Sequence, residues 1–161
     1  MIFTPKSLLR AKAARSSVDV LTMGSFHEVI DDDAVGDPGA IQRVVFTAGK
    51  VALDAVAERD ALETPVAIVR VEQLYPWPAA QIATALTRYP NAREIVWLQE
   101  EPENMGSWNF VKGRLYERHG DTHDITRISR VESGSPATGS ATIHQQEQRA
   151  LLRRAVTVPD R

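Results

Sequence analysis

The side chains in this 161-residue sequence whose types could support chemistry are four histidines, three consecutive aspartates, a Gly-Lys pair and a doublet of glutamates. His119 and His123 are four apart, the spacing of two metal ligands on one helix face. No His-Glu-x-x-His pattern supplies a general base, and Gly120 between them marks a helix end. His27 and His144 lie in no ligand motif. Asp31-Asp32-Asp33 lacks the alternate ligand spacing, turn glycine and distal Glu of a cation loop, which makes it a solvated loop. Gly49-Lys50 is followed by Val51, where a phosphate cradle of the Gly-x-x-x-x-Gly-Lys type needs Ser or Thr, so it reads as a strand-to-helix turn. Gly134-Ser135-Pro136 misses the second glycine of a nucleophile elbow. Glu100 and Glu101, if extended, point to opposite sides and make no carboxylate dyad. No catalytic set emerges.

The glutamate doublet nonetheless sits where function is sought in an α/β protein. Ile95-Val96-Trp97-Leu98-Gln99 reads as a buried strand halted by Glu100, Glu101, Pro102 and Glu103, since proline cannot donate to a ladder. Asn104, Met105 and Gly106 then lead into Trp108, Phe110, Val111 and Leu115, which share one helix face. In open α/β sheets ligands meet the loops at the carboxyl ends of strands. Carboxylates here could instead cap the following helix and pair with arginines elsewhere.

The segments that must position this turn repeat its plan. Ile2-Phe3-Thr4 is a short strand already under way, which raises the expectation of a fragment, and Ser7 to Ala14 supplies helix formers. Phe26 to Ile30 is a second strand, Gln42 to Thr47 a third, and Val51 to about Leu62 a helix. Val66 to Val71 is a near-continuous apolar run, expected at the centre of a parallel sheet. Tyr75-Pro76-Trp77-Pro78 leads into a helix ending at Tyr89, with Pro78 at a first helical position. Ile125 to Arg130 alternates as an edge strand should. A last helix from Thr142 to Ala155 is expected to turn Ile143, Ala150 and Leu151 inward. No repeat or heptad recurs, so the alternation predicts one three-layer α/β domain.

Composition agrees. With 43% hydrophobic and 25% charged residues the chain can bury a core, and a net charge of -2 gives no general attraction for nucleic acid or an anionic membrane. The absence of cysteine excludes disulfides, thiolate metal sites and a cysteine nucleophile. No apolar run of about 18 residues is present to span a bilayer, and the first residues lack signal-peptide order, so a cytoplasmic location is the expectation.

Five ordered motifs carry a resemblance: Phe3-Thr4-Pro5-Lys6-Ser7-Leu8-Leu9-Arg10; Ala48-Gly49-Lys50; Val66 through Pro76; Gln99-Glu100-Glu101-Pro102 with Asn104, Gly106 and Trp108; and Ser135-Pro136-Ala137 with Gly139 and His144-Gln145. Together they resemble the carboxyl-terminal domain of the thiamine-dependent E1 component of 2-oxoglutarate dehydrogenase. The resemblance implies a transketolase-type α/β fold over residues 1–156, a three-layer α/β/α sandwich with a mixed, mostly parallel five-stranded sheet, and a frayed tail at 157–161.

It further implies that thiamine diphosphate and magnesium belong to the full-length enzyme, in domains preceding this one and across a homodimer interface, with no cofactor in this chain. There 2-oxoglutarate is decarboxylated and the succinyl group passed to the lipoyl arm of an E2 succinyltransferase. Partners would be the preceding E1 domains, the homodimer partner and E2, with no nucleic acid and no membrane; the isolated chain would be non-catalytic. Gln73, Glu100, Glu101, Asn104, Gly106 and Trp108 become the allosteric or interface candidates. Alternatives are the same domain of a pyruvate or branched-chain 2-oxoacid dehydrogenase E1, or a free-standing nucleotide- or acyl-CoA-binding module. In actinobacterial relatives of the multifunctional 2-oxoglutarate metabolism type, an acetyl-CoA site uses a Gln matched by Gln73. Its paired arginines fall here on Ala80 and Gln81, and its Lys and Ser on Ser25 and Glu28.

Overall fold

Five buried residues in a row, Arg43–Thr47, form β2, and they can be buried in a row only because helices cover both faces of the sheet they occupy. The computed structural model describes residues 5–158. The predicted strand at Ile2 to Thr4 therefore lies outside the described residues, as does the chain beyond residue 158. The other strands are β1 (Val29–Ile30), β3 (Val66–Val71), β4 (Glu94–Pro102) and β5 (Asp124–Arg130). The helices are α1 (Val18–Met23), α2 (Val51–Leu62), α3 (Ala79–Thr87), α4 (Trp108–His119) and α5 (Ala141–Val156).

Strand order is β1-β3-β2-β4-β5, with only the β1–β3 pair antiparallel. The sheet is thus mixed and mostly parallel, as expected. Alternation divides its side chains cleanly. Val44, Phe46, Val69, Ile95 and Trp97 pack against Ile82 and Tyr89 from the α3 segment and Trp108, Val111 and Leu115 of α4. Val45, Ile68, Val96, Leu98 and Ile128 pack against Val51 and Ala55 of α2 and Leu151, Leu152 and Ala155 of α5. Two apolar clusters on opposite faces of one sheet make the three layers.

Several expectations are corrected. The middle strand is β2; β3, expected at the centre, lies one place toward the edge because β4 and β5 extend the sheet beyond β2 while only the brief β1 lies outside β3. The strand expected from Phe26 to Ile30 loses its first three residues and shrinks to Val29–Ile30, because its partner β3 ends at Val71, opposite Val29, and the Glu28 carbonyl is taken by the Glu72 and Gln73 amides beyond that end. Ser7 to Ala14 forms two short 3-10 turns, Lys6–Arg10 and Lys12–Ala14, in place of an α-helix, and α1 follows unforeseen. In α5, Ile143 and Ala150 are exposed while Leu151 is buried, and the residues that reach the core, Leu151, Leu152, Ala155 and Val156, all lie in the carboxyl-terminal turns of the helix.

Charged side chains complete the backbone pairing at the amino end of the sheet. Where β1 stops, the Ile68 amide on β3 donates 2.8 Å to the Asp32 carboxylate, and Arg59 donates 3.3 Å to the Val66 carbonyl. Asp32 and Arg59, both buried, also pair with each other. Arg43, another buried ion, binds Glu94 and donates to the carbonyls of Arg154, Ala155 and Thr157, satisfying the last turn of α5.

Candidate functional site

Connections from β2 run to β3 on one side, and the chain then crosses to β4 on the other, so the topological switch lies between β2 and β4. Outside their carboxyl ends is a crevice of about 370 Å³ lined by Gly49, Leu74, Trp97, Gln99, Met105 and Ser107 among others. This is where an open α/β sheet offers a site.

The acidic turn beside it is built differently from expectation. Glu100, Glu101 and Pro102 do not halt β4; they are its last residues, and Pro102 pairs with Arg130 on β5 across a register shift that begins after Leu98. A bulge or irregularity is where a strand tolerates proline, because the missing donor falls outside the regular ladder. The turn itself comes at Glu103 to Met105, closed by the Met105 and Gly106 amides donating to the Pro102 carbonyl at 3.0 and 3.2 Å.

Gln99 holds the turn together. Its Oε1 accepts from the Trp97 indole at 3.2 Å and from the Trp108 backbone amide at 3.0 Å, and its Nε2 donates 3.1 Å to the Pro102 carbonyl. One buried neutral amide thus satisfies the strand, the turn and the first residue of α4. No carboxylate caps that helix: Ser107 at its N-cap makes no side-chain cap bond. Gly106 is required by the same arrangement, since a Cβ there would meet the Gln99 amide at 2.2 to 2.5 Å. In the sequence Gln99 reads only as the last residue of the strand and as a motif member, not as the residue that holds the turn. A polar residue closing an apolar run was the available signal, because a buried amide must find several partners.

Of the six candidate residues, five gather here. Trp108 is 6% exposed, packed in the α4 layer, with the Arg127 guanidinium 5.9 Å from its ring centre. Asn104 fastens the turn to the loop after β5 by giving 2.9 Å to the Ser133 carbonyl and taking 3.2 Å from the Ser133 amide. Glu100 turns toward α5 and accepts from Gln148 at 3.4 Å, whereas Glu101 is exposed. Both glutamates, with Arg130, Thr138, Ser140 and His144, border a second hollow of about 340 Å³. Arg130 can only donate, so His144 Nδ1 accepts from it at 3.0 Å. Gln73 stands apart after β3: its Nε2 donates 2.9 Å to the Pro76 carbonyl, and its backbone amide donates 3.2 Å to the Glu28 carbonyl.

The remaining chemistry-bearing side chains are spent locally. Lys50 pairs with Asp54 one turn along α2. The aspartate triplet is divided: Asp31 accepts from Tyr89 at 2.6 Å and Arg88 at 2.9 Å, Asp32 takes Arg59, and Asp33 points outward. Burial, reinforced by the Asp31 carboxylate, pushes the Tyr89 phenol well above its ordinary range. His119 and His123 face each other edge to face, centroids 6.2 Å apart, and burial is the largest cause lowering both pKa values. Among the described residues no group of three or more His, Cys, Asp or Glu side chains is placed to hold a metal ion.

Comparison with known proteins follows the same outline. A family model described as 2-oxoglutarate dehydrogenase C-terminal matches residues 15–156. The chain is 42% identical over 161 residues to a protein named 2-oxoglutarate dehydrogenase E1 component from Exiguobacterium sp. (strain ATCC BAA-1283 / AT1b), covering 98% of this chain and 17% of the relative. Proteins of the same name from Geobacillus sp. (strain WCH70) and Cupriavidus necator are 40% and 43% identical, covering 98% and 96% of this chain. The chain spans only 17% and 16% of the lengths of those two relatives.

Proposed function

The chain belongs to the 2-oxoglutarate dehydrogenase C-terminal family, and on that premise we propose that it is the assembly and regulatory domain of a thiamine-dependent E1 enzyme. The longer polypeptide would decarboxylate 2-oxoglutarate and pass a succinyl group to an E2 lipoyl arm. The observation that carries this reading is the 42% identity to an E1 component over 98% of the chain. The relatives' shared name favours the oxoglutarate enzyme over the pyruvate and branched-chain ones.

The site chemistry supports a non-catalytic role for this part. Thiamine diphosphate needs a magnesium-bridged diphosphate cradle, whereas the crevice between β2 and β4 is lined by the neutral Gln99 and a single carboxylate, Glu101, with no lysine or arginine, and among the described residues no group of three or more His, Cys, Asp or Glu side chains could hold a metal ion. Those residues do not fit the cofactor, which on this reading is held elsewhere in the longer chain, at the homodimer interface. Glu101, Asn104 and the exposed rim of the turn are then surfaces for the preceding domains or for E2, in a cytoplasmic complex. No helix among the described residues is long and apolar enough to cross a membrane.

Acetyl-CoA control through Gln73 is absent on this reading. Its side-chain amide is engaged by Pro76, and Ala80 and Gln81 lack the guanidinium forks that would grip CoA phosphates. The full-length polypeptide, assayed with thiamine diphosphate and magnesium, should release carbon dioxide from 2-oxoglutarate while this chain alone gives none. Turnover by the isolated chain above a heat-killed control, or inert full-length protein, would refute the assignment.

A further inference from the structure

Between Lys6 and Phe26 the chain carries apolar side chains that its own sheet does not cover. The two 3-10 turns and α1 contain no buried residue. Leu9, Val18, Val20, Leu21, Met23 and Phe26 are 58% to 87% exposed. At helical spacing Val18 and Leu21 lie on one side of α1, and Val20 and Met23 on the other. A helix that is apolar on both sides is one made to be enclosed.

Local signals for this helix are nevertheless all present. Ser17 caps it by accepting from the Val20 amide at 3.4 Å, Asp19 stands in the first turn, and Gly24 ends it where any Cβ would meet the Val20 carbonyl oxygen at 2.3 Å. Six residues are too few to hold a helix in water without packing. The family match begins at residue 15 and so includes α1 in the unit the family shares.

We propose that α1 and its flanks form a docking arm enclosed by the remainder of the same E1 polypeptide, in an apolar groove rimmed by carboxylates. Three observations select that occupant. The relative from Exiguobacterium is covered over only 17% of its length, so most of such a polypeptide lies outside this chain. The family is a carboxyl-terminal one, which places that remainder on the amino-terminal side, where the arm is. Lys6, Arg10, Lys12 and Arg15 stand against Asp19 alone in this stretch, and that balance calls for an acidic rim. The inference rests on the E1 assignment above.

Amide hydrogen exchange of the full-length polypeptide, compared with this chain alone, tests it. Amides of residues 18–23 should exchange freely in the chain alone and be slowed by about 100-fold or more in the full-length protein. Leu21→Asp combined with Met23→Asp in the full-length protein should return them to fast exchange while amides of Val44 to Phe46 stay protected, showing that the core is intact. Equal, fast exchange in both proteins would overturn the proposal. So would protection in the chain alone that rises with its concentration, marking a second copy as the occupant, or protection that requires phosphatidylserine vesicles. A protected arm in a full-length protein that fails to turn over 2-oxoglutarate would leave the docking standing and remove only the substrate assignment.

Discussion

At the amino end of the sheet the backbone groups that β1 leaves unpaired on β3 are taken by ions, Asp32 and Arg59, whereas at the carboxyl end the groups around β4 are taken by the neutral amide of Gln99. The chemical difference has an energetic one behind it. A buried ion pair offsets two large desolvation costs only while both members remain, so the amino end is fixed by mutual dependence. A buried amide carries no net charge and gains from each partner separately, and its fit depends on the space Gly106 leaves for it. The end that carries the acidic turn is thus held without buried ions of its own, leaving Glu101 exposed for whatever the surface meets.

The contrast can be broken most severely at Asp32. Asp32→Ala removes the partner of a buried guanidinium and orphans the Ile68 amide, and should cost about 3–5 kcal/mol in urea denaturation. A loss below about 1 kcal/mol would place the pair in the class of solvent-screened bridges. Next is Trp108→Ala, on the α4 side of the turn, where a large-to-small change in a packed layer should cost about 3 kcal/mol. An unchanged denaturation midpoint would show that the indole packs less well than its 6% exposure indicates.

The smallest effect concerns the His119 and His123 pair at the end of α4. Both have folded pKa values below the ordinary 6.5, with burial the main cause. The unfolded chain therefore binds protons first as pH falls. Their contribution is fully present above pH 6.5 and is lost as pH falls from there through the lowered folded values. His119→Gln with His123→Gln should flatten the urea midpoint between pH 7.5 and pH 5.5; an identical slope in parent and variant would assign the acid sensitivity elsewhere.

These particulars also show what could be read in advance. Strand β3 is found at Val66–Val71 as read, and α2 at Val51–Leu62, because apolar runs there are bounded by Pro65, Gly49 and the polar residues after Leu62. The extension of β4 through two glutamates and a proline was illegible, since it depends on a register shift against β5 that no local preference encodes. The short β1 starts only at Val29 because its partner β3 ends opposite it at Val71, a long-range limit that periodicity does not see. Trp108 was legible as buried from its place on an apolar helix face. The role of Gln99 was not, because its partners come from residues two, three and nine positions along the chain in a geometry that only the turn creates.

The dependence of the carboxyl-end turn on a single amide is the claim most open to direct measurement, by a double-mutant cycle on Gln99 and Gly106. Gly106→Ala alone should destabilise by about 1–3 kcal/mol, because its methyl must displace the Gln99 amide. In a Gln99→Ala background that space is free, so the same change should cost no more than about 0.5 kcal/mol, a coupling well outside the additivity of independent sites. Equal costs in both backgrounds would contradict the account, showing that the glycine answers to something other than Gln99.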